Sequence, residues 1–267
     1  MKKGKLRTRD QLHRCHTHGF NGIPPKNISG ECFLRKDDPR TNGEIWFYRM
    51  IKPNIKSLFD VGADTTFYTN FDNEVHYFEP ISDSNIFEAQ KQVESGNNIL
   101  KNKISYFNNF GLSNTSGEKL ITWEAGDVLP NPLGEDTYLG DNTHIKTKRA
   151  DDYIIENNFN TPDFVSTDTE GHELQVIQGF GELLSEVKII QFEYNSTWYS
   201  ADVKLNDMIT YLKDFGFTEF NYLSMNSPKY GLVPMKWEDN SEDHYAHCNI
   251  VCCNNNWVNN FKSIFKI

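Results

Sequence analysis

The sequence predicts an α/β protein with a doubly wound, Rossmann-like sheet, mostly parallel with an antiparallel last strand, and an N-terminal helical extension. Three observations carry this. Two short apolar runs each stop at an acid and a turn: Ser57-Leu58-Phe59-Asp60-Val61-Gly62 and Val75-His76-Tyr77-Phe78-Glu79-Pro80. A third run, Pro162 to Thr167, stops at Asp168 in the same way. Helical patterns alternate with these runs, which is the order of βαβ units. Strands that end like this build a nucleoside pocket at the carboxyl edge of a parallel sheet.

The elements follow in order. Thr41 to Ile51 reads as a helix with Ile45, Trp46, Tyr48 and Arg49 as its amphipathic face. Ile55–Val61 and Val75–Glu79 are the first two core strands. Pro80 stops the second, and Asp83 is placed to cap a helix running to about Ser95, closed by Gly96. Lys103–Phe107 is the third strand, and Glu118–Trp123 another. Glu124 to Asn142, rich in Gly, Pro and Asp, reads as a long loop and an acceptor-side lid. Thr147 to Asn157 is a helix with Asp151 and Asp152 favouring its start. After Pro162–Thr167 comes a helix with Leu174, Val176, Ile177 and Phe180 as its apolar face. Val187–Phe192 is the fifth core strand, and Leu205–Phe215 a helix ended by Gly216. Phe217–Leu223 and His247–Cys252 are the last two strands, and the tail after Asn254 reads as a surface helix or loose end.

Composition sets bounds. A chain of 267 residues with 37% hydrophobic and 13% aromatic content can bury a sizeable core in one large domain with extensions. The net charge of −10 argues against nucleic acid or an anionic membrane as partner. No apolar run reaches the roughly 20 residues of a membrane span, and the basic start, Met1 to Lys5, has no apolar stretch behind it. Five cysteines without paired spacing imply a reducing, cytoplasmic setting. Cys248, Cys252 and Cys253 read as small core residues. His13, Cys15, His16 and His18 invite a zinc reading, but their spacing matches no common zinc pattern. There is no internal repeat, and no pattern specifies an oligomer.

The nucleoside can be narrowed. A dinucleotide fingerprint needs three glycines, G-x-G-x-x-G, and only Gly62 stands here. A pyrophosphate then has no cradle, so a ligand without phosphates fits better, and S-adenosylmethionine (SAM) is the common one. Glu79 stands seventeen residues after Gly62, near the spacing of about 20 at which an acid meets a ribose diol.

Phe59-Asp60-Val61-Gly62-Ala63, Phe78-Glu79-Pro80 and Asp168-Thr169-Glu170-Gly171-His172-Glu173-Leu174 together resemble the FkbM-type SAM-dependent methyltransferases, over roughly residues 55 to 195. The resemblance implies a class I methyltransferase fold at 53–256, an N-terminal cap at 1–52 and a C-terminal tail at 257–267. It implies that Asp60, Gly62, Ala63, Asp64, Thr66, Glu79, Pro80 and Asn109 bind SAM, with Phe110 near the adenine. Two positions depart from the family: Asp64 stands where Asn is usual, and Thr66, which narrows the methionine end, where Gly is usual. The resemblance also implies a hydroxyl acceptor on a sugar, glycan or small natural product, a nucleotide-linked sugar included if Lys146, Lys148 and Arg149 face the cleft.

Methyl transfer to an alcohol needs in-line alignment and removal of the hydroxyl proton. Two readings of the strand ends stay open. In one, Asp168 or His172, with Glu170 beside them, is the base. In the other, Asp168 and Glu193, with Asn195 as a third candidate, hold a metal ion through oxygen, by analogy with metal-dependent O-methyltransferases. Asp168 carries function in either case, because an acid closing a buried strand is costly without a partner. Glu173 reads as a cap of the following helix. His244 and His247 could reach the acceptor from its far wall, although a lone histidine is more often structural. Three other classes compete: a non-catalytic SAM-fold module, an NAD enzyme and a nucleic-acid methylase. The missing glycines oppose the second, and the absence of an Asn-Pro-Pro-aromatic stretch at the fourth core strand opposes the third.

Overall fold

The structure, a computed structural model, describes residues 43–63, 74–96, 104–124, 127–130, 141–195, 197–224, 231–235 and 248–267. Outside the described residues lie the 1–42 stretch with His13, Cys15, His16 and His18, the turn positions Asp64 and Thr66, and His244 and His247.

In chain order, α1 is Glu44–Ile51, β1 Ser57–Val61, β2 Glu74–Phe78, α2 Asn85–Glu94, β3 Ile104–Asn108 and β4 Gly111–Leu112. Then come β5 Gly117–Glu124, β6 Asp127–Pro130, β7 Asp141–Lys148, α3 Ala150–Asn157, β8 Phe164–Thr167 and α4 Glu173–Gln178. The last are β9 Ile189–Tyr194, α5 Thr197–Ser200, α6 Leu205–Asp214, β10 Phe217–Ser224, β11 Gly231–Pro234, β12 Cys248–Asn254 and α7 Val258–Phe265.

Eight strands form one sheet in the order β11-β10-β12-β9-β8-β1-β2-β3. The β3-β2-β1-β8-β9 half is parallel throughout. The last strand, β12, runs antiparallel to both its neighbours, as expected, and β11 adds an edge strand the sequence did not suggest. The chain builds outward from β1 to β3, then returns to the other side of β1 for β8 and β9. That reversal between β1 and β8 is the point where open α/β sheets bind ligands.

Side chains alternate across the sheet with period two. Phe59, Val61, Phe78, Val165, Ile190 and Phe192 face α3, α4 and α6. Leu58, Val75, Tyr77, Phe164, Ile189 and Val251 face α1 and α7. Both faces are therefore covered, which explains why the parallel strands read as unbroken apolar runs.

Five expectations need correcting. On α1, the buried residues are Phe47, Tyr48 and Ile51, while Arg49 is exposed. The cap of α2 is Ser84, in extended backbone, rather than Asp83. Part of the expected lid is strand, since β6 pairs antiparallel with β5 in a second sheet of order β4-β7-β5-β6; 131–140 lies outside the described residues. Thr147 is a β7 residue opposite Gly117, so α3 starts only at Ala150. The tail is docked: Phe261 is fully buried, and Phe265 stacks on Phe47 at 5.4 Å.

Candidate functional site

The turn after β1 is stitched to the strand ends on either side of it. Gly62 and Ala63 both donate their N–H to the Phe78 carbonyl, at 3.0 and 3.2 Å. Asp168 donates its N–H to the Val61 carbonyl at 2.9 Å. Gly62 has φ +82°, and a Cβ there would stand 1.9 Å from the Asp168 carbonyl oxygen. Glycine is thus required because the end of β8 closes on the turn. The three tips expected to share one cleft, Gly62, Glu79 and Asp168, lie side by side.

Glu79 is buried, and its Oε1 accepts the Ile81 N–H at 2.8 Å, which fixes the carboxylate at the end of β2. Asn109 donates its Nδ2 to the carbonyls of Glu79 at 3.1 Å and Pro80 at 3.3 Å. It clamps that turn, leaving its carbonyl oxygen as the atom able to read an adenine amino group. Phe110 does not present a free face; it packs edge-on against Phe78 and Tyr153, each at 5.8 Å. Ala63 is buried in the core beside α1. Asp60 lies under the turn at 8% exposure. Burial, then the charges of Glu44 and Glu79, raise its carboxyl well above the usual range.

At the neighbouring tips, Asp168, Glu170 and Glu193 each offer a carboxylate oxygen, all within 4.8 Å of one another. Asp168 is the exposed residue of the three, although its carboxyl, set among the other two, is desolvated. That desolvation, then Glu193, Glu170 and Glu44, lifts its carboxyl well above the usual range. Glu193 is lifted too, first by burial and then by Glu170, while a hydrogen bond from Asp168 works the other way. Asn195 brackets the group, donating Nδ2 to Glu193 at 2.5 Å and to Glu170 at 3.0 Å. Its own oxygen is held by Thr197 N–H at 2.8 Å. Glu170 sits in the left-handed region at φ +54°, a strain that needs a compensating constraint. Glu173 caps the turn: its two oxygens accept Thr169 N–H at 2.7 Å and Gly171 N–H at 2.9 Å.

His172 is placed differently from expectation. Its Nε2 meets Ser113 Oγ at 3.0 Å, under the second sheet. Burial and the charge of Lys119 push its pKa down to about 3. Such an imidazole is neutral near pH 7 and too weak a base to take a proton from a hydroxyl.

Nothing in the residue pattern points to Glu44. It stands at the start of α1, and its Oε1 accepts Gln191 Nε2 at 2.7 Å. Its charge also acts on Asp60, Asp168 and Glu193. Gln191 was detectable: it is a polar residue inside the run Ile189-Ile190-Gln191-Phe192. It lies in register with Ser166 and Asp60 on one sheet face. Asp60, Glu79, Asp168, Glu170 and Glu193 make this edge acidic. A cationic sulfonium fits such a donor set, with a carboxylate fixed at the β2 tip for a ribose.

The family model described as the methyltransferase FkbM domain matches residues 60–219, more than half the chain. The chain belongs to the FkbM methyltransferase family. FkbM chemistry is SAM-dependent methyl transfer, so the cofactor expectation and the cleft agree. The hexuronic acid methyltransferase AglP of Haloferax volcanii is 30% identical over 110 residues, covering 39% of this chain and 45% of that protein. The chain thus spans less than half the length of that relative. Among solved structures, the FkbM methyltransferase from Methylobacillus flagellatus KT aligns with TM-score 0.44 and 14% identity, over 74% of this chain and 43% of that one. The N-terminal domain of EvdMO1, solved in the presence of SAH and D-fucose, aligns with TM-score 0.34 and 12% identity, over 92% and 95%.

Proposed function

We propose that this FkbM protein methylates a hydroxyl of a sugar, nucleotide-linked sugar or glycan-type small molecule. The carrying observation is the juxtaposition of the Gly62, Glu79 and Asp168 tips, with Asp168 pressed against the Gly62 turn. The name of the similar protein AglP, a hexuronic acid methyltransferase, supports the same substrate class. When bound, SAM supplies an electrophilic methyl group on a sulfonium. Asp60, Gly62, Ala63, Glu79, Pro80 and Asn109 shape the adenosyl end, with Asp64 and Thr66 following in the turn. Glu79 accepts from the ribose diol. Asp168 receives the acceptor's proton, and Glu170 and Glu193 orient the hydroxyl.

A second reading is supported by the 4.8 Å grouping of carboxylate oxygens. Asp168, Glu170 and Glu193 would hold a divalent ion, which would lower the pKa of the acceptor hydroxyl. Asn195 fits an outer role, orienting two of the three ligands.

The division of labour is testable. Glu79→Ala should weaken SAH binding by roughly 1–3 kcal/mol, since it removes charge-assisted bonds. Asp168→Asn should abolish methyl transfer while SAH affinity, measured by calorimetry, stays within about threefold. Equal loss of SAH binding in both variants contradicts the assignment. Assays of a sugar and nucleotide-sugar panel with and without chelator then separate base from metal: activity indifferent to chelator removes the metal.

A further inference from the structure

A base stands on the second sheet, linked through Ser113 to His172 in the turn after β8. Lys119, on β5, is half-buried and donates to Ser113 Oγ, which is fully buried. Its other two N–H donors meet nothing among the described residues. Two other half-buried bases near the second sheet are paired: Lys148 lies on Glu156 and Arg149 on Asp151. Among the described residues Lys119 meets no carboxylate, and burial lowers its pKa. A half-buried ammonium without an anion is costly, and supplying an anion removes that cost.

Its position ties it to the reacting edge. Ser113 also contacts His172, four residues after Asp168. The Cα atoms of Asp168 and His172 therefore stand at most about 14 Å from one another. The junction is tightly set, because a Cβ on Gly179 would stand 2.3 Å from the Ser113 carbonyl oxygen. Ser113 Oγ further reaches Asn114 Oδ1 at 3.3 Å, and Asn114 Nδ2 donates to Gln178 Oε1 at 3.0 Å. The amine is thereby held in place on one side and left with donors on the other.

We propose that Lys119, seated on Ser113, is the anion-recognition point of the acceptor site, taking a carboxylate or phosphate oxyanion carried by the sugar. This rests on the sugar-methyltransferase reading and deepens it. The acceptor then carries both features of the cleft: hydroxyls toward Asp168 and Glu193, and an anionic group toward Lys119. An ammonium serves a single oxyanion as a point charge, and Ser113 keeps it from folding back onto a protein carboxylate.

The test is calorimetric, on the full chain, with sodium glucuronate, glucose and inorganic phosphate as probes, with and without saturating SAH. Wild type should bind glucuronate or phosphate at least tenfold more tightly than glucose. Glucuronate alone binding assigns a carboxylate; phosphate binding assigns a phosphorylated or nucleotide-linked acceptor. Lys119→Met and Lys119→Gln should each lose at least tenfold in anion affinity, Lys119→Arg should keep most of it, and SAH affinity should not change. The proposal is overturned if glucose binds as well as both anions, if no anion binds, or if Lys119→Gln binds anions like wild type. A lysine with only a structural role would shift the melting temperature and leave the probe preference untouched. Failure of SAH to bind is a separate result, which strikes the cofactor reading alone.

Discussion

At the scale of one residue, a hydrogen atom decides how closely β1 and β8 can end. The side chain of any residue but glycine at position 62 would overlap the Asp168 carbonyl, in a backbone region that already disfavours L side chains. Gly62→Ala should therefore cost about 3 kcal/mol in urea denaturation and weaken SAH binding as well. Glu170 is the opposite case, a large residue kept where glycine would be easier. Left-handed backbone at a non-glycine position costs about 1–3 kcal/mol, and it is retained where it aims a functional group. Glu170→Gly should leave stability within about 1 kcal/mol of wild type, because relief of strain offsets the greater freedom of the unfolded chain. Methyl transfer should nevertheless fall at least tenfold. Unchanged turnover would return Glu170 to a purely structural turn.

At the scale of elements, the two ends of the chain's described part meet. Phe261 and Phe265 of α7 pack beside α1, whose first-turn Glu44 in turn reaches Gln191 on the sheet. The cap and the tail thus form one support under the acidic edge. Phe261 is fully buried, so Phe261→Ala should cost about 3–5 kcal/mol by thermal or chemical unfolding. Loss below 1 kcal/mol would mean that α7 is loosely attached. The second sheet acts similarly on the other face: β5 carries Lys119 to Ser113, and β4 brings Ser113 against the end of α4.

At the scale of the molecule, pH acts through groups of opposite sense. His76 is fully buried, with Nδ1 on Tyr153 Oη and Nε2 on Glu74 Oε1, both at 2.8 Å; Tyr106 stacks at 4.4 Å. The neutral ring donating from Nε2 satisfies both partners. Burial lowers its pKa from 6.5, although Glu74 resists the shift. Above pH 6.5 both folded and unfolded forms are neutral, and its contribution is complete. As pH falls below 6.5, the unfolded chain takes a proton that the folded chain refuses, so stability is lost. The raised carboxyls of Asp60, Asp168 and Glu193 act in reverse, contributing most at low pH and less as pH rises through their folded values. The difference between wild type and His76→Gln isolates the histidine. It should shrink as pH drops from 7 to 5; a constant difference would show that His76 does not titrate with unfolding.

Much of the fold was legible because its cause is local. Apolar runs of strand length, each ended by an acid, and helices of 3.6-residue period between them, are written in consecutive residues. They placed β1, β2, β8 and β9 to within two residues, and with them Gly62, Glu79, Asp168 and Glu193. Glu173, expected to cap the following helix, instead accepts the Thr169 and Gly171 N–H groups of the turn before it. What the chain order could not reveal depends on contacts between distant segments. Glu44 meets Gln191 across 147 positions, His172 turns to Ser113 across 59, and β6 pairs where composition suggested only a loop. Charge neutralisation is the clearest instance: every lysine looks alike in sequence, and only the folded chain leaves Lys119 without a carboxylate among the described residues while pairing Lys148 and Arg149. Strand ends converge because the sheet winds both ways from β1, whereas the neighbours of each charge are set by how the flanking layers pack.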